Sequence, residues 1–386
     1  MVDRLLIVDD EASMGTLISR IAKGCGFDTK HAPTAQQGLE LIASWQPTHL
    51  VLDLQMPDTD GIELLRELAA LRCAARIVIT SGHGSQVLNT ALRLGIERGL
   101  AIEGTLPKPF EASALKNLLV GLRSEAEWLN PAELQAAIAD DQLVLYYQPK
   151  IDVRNSAITG FEALVRWAHP ARGLVPPDKF VPLAESSGLM DAMTHWVLNA
   201  ALKQLAEWTE QGLRVGINVS VSNLKDVRFA DLMDSLCRRY GVATGRVCIE
   251  VTETSAMSDD IAAMDILARL SLKGFLISID DFGTGYSSFI RLLRMPISEI
   301  KIDQSFVKEC HLNRESFIIV KSIVDLAHNL GMTVIAEGVE NEQILSTLAG
   351  IGCDLAQGYH VSKPMPASAV VPWCRAWLQR HGALSG

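Results

Sequence analysis

Short apolar runs alternate with segments of helical periodicity throughout the first third of the chain. LLIV, HLVLDL and RIVIT are strand-like runs, whereas SMGTLISRIAKGCGF, GIELLRELAALR and SQVLNTALRL (residues 85–94) place apolar residues at helical spacing. Strands and helices that alternate in this way form a parallel sheet covered by helices on both faces. Residues 1–122 are therefore predicted to form a doubly wound α/β domain.

The helical pattern continues beyond this domain until Asn130-Pro131 interrupts it, which predicts a linker helix over residues 123–135. From about residue 143 the alternation resumes on a larger scale. Eight units of this kind over roughly 250 residues are what a (β/α)8 TIM-like barrel requires, so residues 136–386 are predicted to form one. The strand candidates are LVLYYQ, ITGFEALVRW, RVGINVS, RVCIEVT, FLISID, EIKID, TVIAEG and CDLAQGY.

Composition narrows the possible partners. The 386 residues are 48% hydrophobic, and 35 Lys and Arg stand against 45 Asp and Glu, a net charge of −10. This balance argues against DNA and anionic membrane surfaces as partners. The sequence MVDRLLIVDDE resembles neither a signal peptide nor a spanning helix, so we expect a cytoplasmic protein without membrane insertion. The seven cysteines lack paired spacing and are assigned no function.

Charged and hydroxyl residues follow the predicted strands of the first domain. Because loops at the carboxyl edge of a parallel sheet surround one crevice, we expect these side chains to converge. Carboxylates, a hydroxyl and a lysine suit Mg²⁺ beside an aspartate that accepts a phosphoryl group. Individually, each acid could instead start a turn or cap a helix. The residues are Asp9, Asp10, Asp53, Thr80 and Lys108.

Nearly all of residues 1–122 resembles the receiver domain of two-component response regulators, which has a flavodoxin-like fold. The acidic pair, LDLQMPDTDG, the threonine and Lys108-Pro109 stand in the order of that family. The resemblance implies that Asp53 accepts the phosphoryl group from a cognate sensor histidine kinase. It also implies that Asp9 and Asp10 hold Mg²⁺, and that Thr80 and Lys108 contact the phosphoryl oxygens.

The chain departs from the receiver pattern at one position. Three residues before Lys108 the family usually has an aromatic residue that changes rotamer on phosphorylation, whereas this chain has Thr105. The route by which phosphorylation is transmitted is therefore in question, and the sequence does not indicate whether phosphorylation activates or inhibits.

Nearly every predicted barrel strand ends in a polar group, and the carboxyl ends of barrel strands meet at one face. Oxygen ligands of this kind suit Mg²⁺ or Mn²⁺, and unpaired carboxylates at this density would be costly without cations. A single one of these acids could be a cap or an ion-pair residue, an interpretation that fits Asp303 and Glu253 best. The full set is Glu162, Asn218, Glu250, Glu253, Asp280, Asp281, Lys301, Asp303, Glu337 and Gln357.

The adjacent acids in FLISIDDFGTGYSS are interpreted as ligands of two neighbouring cations. An acidic site attracts an anionic phosphodiester only if bound metal reverses the local field. Two cations would also activate water for phosphoester hydrolysis. Arg166 is placed to hold a phosphate oxygen, and Lys301 to orient the nucleophile.

FEALVRW, INVS, IEVTET, DDFGTGYSS, KIDQSF, VIAEGVE and QGYHVSKPMP resemble, in order, the EAL-type phosphodiesterases of bacterial cyclic di-GMP signalling. The resemblance covers roughly residues 129–377. It implies hydrolysis of cyclic di-GMP to linear pGpG with two Mg²⁺ or Mn²⁺ ions. Val165, where leucine is common, is a mild departure.

The resemblance also implies residue roles. Glu162, Asn218, Glu250 and Asp280 would hold the first ion, and Asp280 with Asp281 the second. Lys301 and Glu337 would manage the nucleophilic water, and Glu253 would support the loop after Asp281. The implied substrate contacts are Gln148, Arg166 and Gln357.

The sequence therefore predicts a phosphorylation-controlled response regulator that hydrolyses cyclic di-GMP, as a homodimer or higher homo-oligomer. Two alternatives stay open. A catalytically silent receptor would bind cyclic di-GMP without forming product. A barrel glycosidase would use a carboxylate pair without metal, although the surplus acids, Asn218 and Lys301 argue against it.

Overall fold

The computed structural model describes residues 3–57, 61–82, 88, 91–92, 94–96, 98–125, 129–208, 212–256, 261–284 and 292–381. Contacts divide the chain into two units, Met1–Leu129 and Asn130–Gly386. The division falls inside the predicted linker, and the domain limits drawn from the sequence stay predictions.

The first unit contains one parallel sheet with the strand order β2-β1-β3-β4-β5. This is the flavodoxin-like order, so the predicted fold of the first unit is confirmed. The strands are β1 (Arg4–Val8), β2 (Asp28–Ala32), β3 (His49–Asp53), β4 (Arg76–Ser81) and β5 (Ile102–Pro107). The helices are α1 (Ala12–Gly24), α2 (Ala35–Trp45), α3 (Gly61–Ala70) and α4 (Ala112–Glu125).

Helices cover both faces of this sheet because successive strand residues point to opposite sides. Leu6 and Val8 pack in a core with residues of α2 and α3. Leu5 and Ile7 pack in a second core with residues of α1 and α4. The helix predicted over residues 85–94 lies mostly outside the described residues.

The second unit is an eight-strand barrel with helices, as predicted, and two short outer strands extend its sheet. Its strands are β6 (Leu143–Asp152), β7 (Ile158–His169), β8 (Gly173–Val175), β9 (Arg214–Asn218), β10 (Val247–Thr252), β11 (Leu276–Phe282), β12 (Glu299–Ile302), β13 (Thr333–Ala336), β14 (Leu355–Ala356) and β15 (Met365–Pro366). Its helices are α5 (Pro131–Ala139), α6 (Pro177–Ser186), α7 (Met190–Glu207), α8 (Phe229–Tyr240), α9 (Glu253–Ala256), α10 (Ile261–Leu272), α11 (Gln304–Val307), α12 (Arg314–Asn329), α13 (Glu342–Ile351) and α14 (Ala367–His381), with 3-10 turns at Asn223–Lys225 and Thr244–Arg246.

One strand of the barrel runs against the others. The ring closes through β6, which pairs antiparallel with both β7 and β14, whereas β7 and β9 to β14 are parallel neighbours. Only residues 153–157 separate β6 from β7. A parallel connection needs a crossover of a dozen or more residues, so this short link forces a hairpin.

The Asn130-Pro131 pair, predicted to interrupt the helical pattern, begins a new helix. The Asn130 side chain accepts a hydrogen bond from the Glu133 amide at 2.9 Å, and Pro131 occupies the first turn of α5. No helix among the described residues has both the length and the apolar character needed to cross a membrane.

The loops that follow β13 and β14 approach each other closely at Gly358. The Val339 amide donates to the Gln357 carbonyl at 3.1 Å. A Cβ atom at Gly358 would lie 2.2 Å from the backbone nitrogen and oxygen of Val339. The absence of a side chain at Gly358 therefore lets Gln357 sit at the barrel mouth.

We expect Gly358→Ala to lower the free energy of unfolding by about 1–3 kcal/mol, since backbone atoms must move to admit the methyl group. Gly350→Ala is the matched control, because a Cβ atom there meets nothing within 4 Å inside α13. The control should be neutral or stabilising by up to about 1 kcal/mol. Thermal unfolding of both variants tests this, and equal midpoints would contradict the packing argument.

Candidate functional site

The Lys301 ammonium group lies at the centre of four carboxylates in the barrel. Its Nζ atom is 2.7 Å from Glu337, 2.8 Å from Glu250, 3.0 Å from Asp280 and 3.2 Å from Glu162. The side chain is fully buried. Burial alone would lower the pKa of Lys301, but these carboxylates raise it well above its usual value.

Glu162 receives hydrogen bonds on both carboxylate oxygens. Asn218 Nδ2 donates to Oε1 at 2.8 Å, and Gln357 Nε2 donates to Oε2 at 2.6 Å. Burial by itself raises the pKa of Glu162, but Lys301, Lys150 and the two amides outweigh it and lower the pKa to about 2. Glu162 is thus held as a carboxylate.

A β-bulge in β11 accompanies the close approach of Asp280 and Asp281, whose carboxylate ligand atoms lie within 4.8 Å of each other. Consecutive strand residues normally face opposite sides. The register of β11 against β12 shifts between Ile279 and Phe282, and Asp281 has a left-handed φ of 55°. This local irregularity explains how two adjacent aspartates serve one site.

Two groups of carboxylates share Asp280. Ligand atoms of Glu162, Glu250 and Asp280 lie within 4.8 Å of one another, as do those of Asp280, Asp281 and Glu337. The predicted ligands of both cations therefore come together, and Glu337, predicted to manage the water, joins the second group.

Burial and neighbouring acids disfavour the charged forms of two residues in the second group. Burial, reinforced by Asp280 and Asp303, raises the pKa of Asp281 to about 6. Burial also raises the pKa of Glu337 to about 8, although Lys301 opposes the shift. Divalent cations would offset both the cost of burying these charges and their repulsion by neighbouring acids.

A buried oxygen of Gln357 and the types of donor atom in the site show whether these residues fit divalent cations. Gln357 Oε1 is buried and has no hydrogen-bond partner among the described residues, although its Nε2 donates to Gln148 Oε1 at 3.1 Å as well as to Glu162. Buried polar atoms are rarely left unpaired. The donor set, which consists of oxygen atoms, is that preferred by Mg²⁺ and Mn²⁺. The residues therefore fit divalent cations.

A cleft of about 350 Å³ opens beside these acids. Its lining includes the predicted substrate contacts Gln148, Arg166 and Gln357, together with Lys308 and Tyr359. Half burial lowers the pKa of Arg166, and its Nη1 atom donates to the Val165 carbonyl at 2.8 Å. The cleft thus brings one guanidinium group next to the acidic groups.

Two other acids have supporting contacts. Glu253 accepts a hydrogen bond from the Gly283 amide at 2.8 Å, directly after the Asp280-Asp281 bulge. Asp303 caps α11 by accepting from the Ser305 amide at 2.9 Å. Residues 285–288 of the predicted GTGYSS loop lie outside the described residues.

Lys150 is a buried charge that the sequence reasoning missed. Its Nζ atom lies 2.5 Å from Glu250 Oε1, and its side chain is almost completely buried. Its signal in the sequence is a position two residues after Gln148 in β6, which puts both side chains on the inner side of a strand.

The first unit contains a smaller site of similar composition. Lys108 Nζ lies 2.8 Å from Asp9 and 2.7 Å from Asp53, both of which are buried. Ligand atoms of Asp9, Asp10 and Asp53 lie within 4.8 Å of one another. Burial lowers the pKa of Lys108, but Asp53 and Asp9 outweigh it and raise the value.

The remaining receiver residues lie near this site. Thr80 is buried at the end of β4, and its Oγ1 atom donates to the Leu52 carbonyl at 3.3 Å. Thr105 is half-buried on β5, where the aromatic residue of the receiver pattern would stand. The acids and Lys108 thus meet at the carboxyl edge of the sheet, as the sequence predicts for a Mg²⁺ site.

Comparison with known proteins follows the same division of the chain. Residues 5–120 match the response regulator receiver domain, and residues 132–364 match the EAL domain. The bifunctional diguanylate cyclase/cyclic di-GMP phosphodiesterase MucR of Pseudomonas aeruginosa is 40% identical over 242 residues, which are 62% of this chain and 35% of MucR.

A longer match joins both units. The cyclic di-GMP phosphodiesterase PdeR of Escherichia coli is 34% identical over 350 residues, which are 90% of this chain and 51% of PdeR. The chain spans about a third to a half of the length of such curated relatives.

A solved structure of the PaMucR phosphodiesterase with c-di-GMP aligns with a TM-score of 0.60 and 39% identity, covering 62% of this chain and 98% of that one. The barrel fold and the carboxylate groups at its mouth are consistent with the sequence match to the EAL domain. This chain belongs to the EAL domain family and carries a response regulator receiver domain ahead of its EAL domain.

Proposed function

We propose that this chain hydrolyses cyclic di-GMP to linear pGpG with two divalent cations, and that phosphorylation of the receiver controls the rate. The observation that carries the proposal is the pair of carboxylate groups that share Asp280 beside a cleft lined by Arg166. A shared carboxylate is what two neighbouring cations require, and a guanidinium group suits a phosphate oxygen.

The assigned ligands divide between the two ions. Glu162, Asn218, Glu250 and Asp280 would hold the first, and Asp280 with Asp281 the second, beside Glu337. When bound, Mg²⁺ or Mn²⁺ supplies positive charge that stabilises the attacked phosphate and acidifies the attacking water. The two amides on Glu162 keep this carboxylate oriented and charged.

The other polar residues orient the reacting groups. Arg166 and Gln148 would hold the phosphodiester in the cleft. The Lys301 ammonium group would orient the water, and Glu337, 2.7 Å from it, would take up the proton of the water. The water oxygen forms a bond to phosphorus, the bond from phosphorus to the 3′ oxygen breaks, and the 3′ oxygen gains a proton. The product is a linear dinucleotide with a 5′ phosphate.

The arrangement also weighs against the alternatives. A glycosidase uses two carboxylates in distinct roles, whereas five carboxylates meet here around Lys301 and Asp280. Each predicted ligand is present in the described part of the site.

The receiver would act through Asp53, which would accept a phosphoryl group beside a Mg²⁺ ion held with Asp9 and Asp10. Lys108 already contacts Asp53 at 2.7 Å and would pair with a phosphoryl oxygen. A sensor histidine kinase is the proposed donor, and a homodimer or higher homo-oligomer the proposed assembly.

Replacing Glu162 tests the hydrolytic site. We expect Glu162→Gln to reduce pGpG formation by about 10²-fold or more, because an uncharged amide of the same shape cannot support the cation charge. Product is measured by chromatography with Mg²⁺ present. Asp231→Asn, which alters an exposed acid paired with Arg269, is the control and should keep full turnover. Nucleotide binding by the wild type without product would establish the silent receptor.

Replacing Asp53 tests the receiver. Incubation of the wild type with acetyl phosphate and Mg²⁺ should add one phosphoryl group per chain and change the hydrolysis rate. Asp53→Asn removes the acceptor carboxylate, so both effects should disappear while basal hydrolysis stays. Intact-protein mass spectrometry and the same product assay report the two effects. Equal rates with and without phosphorylation would refute control by the receiver.

A further inference from the structure

Two lysines hold the two oxygens of one predicted metal ligand. Lys150 Nζ lies 2.5 Å from Glu250 Oε1, and Lys301 Nζ lies 2.8 Å from Glu250 Oε2. The two lysines differ in their other contacts. Lys301 is shared with three further acids, whereas Glu250 is the one carboxylate within ion-pair distance of Lys150 among the described residues.

The barrel is built to bring Lys150 to Glu250. In the antiparallel pairing of β6 with β7, Gln148 stands opposite Glu162, and Lys150 stands opposite Gly160, two residues deeper in β7. Lys150 therefore lies closer than Gln148 to the amino ends of the parallel strands, and it contacts Glu250 from that side.

A glycine on the neighbouring strand leaves space for this contact. A Cβ atom at Gly216 would lie 1.8 Å from Glu250 Oε1 and 3.0 Å from Lys150 Nζ. Gly216 precedes Asn218 by two residues on β9, so any side chain there would enter the ion pair. The ion pair between Lys150 and Glu250 therefore depends on two features, the buried lysine itself and the absence of a side chain at Gly216.

We propose that Lys150 is a positioning residue that restricts Glu250 to a single metal-facing oxygen, and that this restriction favours Mg²⁺ and Mn²⁺ over Ca²⁺. The inference rests on the proposed two-metal site. Lys150 would contact neither metal nor substrate. It would act by holding Oε1, whereas Lys301, which four acids share, can stay on the other three when an ion takes Oε2.

Coordination chemistry connects this contact to metal choice. Ca²⁺ takes six to eight oxygen ligands and commonly uses both oxygens of one carboxylate, whereas Mg²⁺ demands octahedral geometry with short bonds. Mn²⁺ is also typically octahedral. Lys150 has no second carboxylate within ion-pair distance among the described residues, so its ammonium group stays on Oε1 and keeps that oxygen out of the coordination shell. Losing the lysine would permit two-oxygen binding and a larger shell.

Metal titration of the full chain without nucleotide tests the proposal. Isothermal titration calorimetry gives dissociation constants for Mn²⁺ and Ca²⁺ in the wild type, Lys150→Met and Lys321→Met. In Lys150→Met we expect the ratio of the Ca²⁺ to the Mn²⁺ dissociation constant to fall about tenfold or more. Lys321 pairs with Asp325 on the exposed side of α12, so its replacement should leave the ratio unchanged. The receiver site is identical in all three proteins.

A ratio in Lys150→Met equal to that of the wild type would overturn the proposal. If Lys150→Met does not fold, wild-type crystals grown with Mn²⁺ decide it: one Glu250 oxygen on the ion and the other on Lys150 supports the inference, and both oxygens on the ion refutes it. If the proposed two-metal site itself were wrong, the wild type would bind no ion at the barrel acids, a result distinct from an unchanged ratio in Lys150→Met.

Discussion

Like-charge repulsion among the acids at the barrel mouth is the constraint on which the rest of the structure depends. Glu162, Glu250, Asp280, Asp281 and Glu337 crowd into two adjoining groups. Buried charges at such distances persist only when they are paired. Lys301 forms ion pairs with four of these acids, and Lys150 forms one with Glu250. The pKa values of Asp281 and Glu337 are raised, first by burial and then by neighbouring acids, although Lys301 opposes both shifts.

The backbone supplies the positions at which this charge balance is possible. Parallel strands bring their last residues to one face of the barrel, and the bulge in β11 places Asp281 beside Asp280. Strand β6 is antiparallel to its neighbours, and it brings Lys150 to Glu250 from the side of the amino ends of the parallel strands. Gly216 and Gly358 leave room for Glu250 and for the loop that carries Gln357. The receiver uses the same principle on a smaller scale, with Lys108 between Asp9 and Asp53.

Periodicity alone predicted both folds correctly, because alternating strands and helices leave few arrangements that bury every apolar face. The strand-end acids could be named for the same reason, since parallel topology collects them at one edge. Three features depend on tertiary contacts that periodicity does not encode: the antiparallel direction of β6, the left-handed φ of Asp281 and the partner of Lys150. The five-residue link after β6 was a readable signal for the first, and the lysine two positions after Gln148 for the last.

Counting bound ions tests the central claim most directly, because Asp280 belongs to both carboxylate groups. Metal-stripped full chain is dialysed to equilibrium against Mn²⁺, and the bound metal per chain is compared between the wild type and Asp280→Ala. The account predicts that the single substitution removes both barrel ions and leaves the receiver ion in place. An unchanged ion count in Asp280→Ala would contradict it.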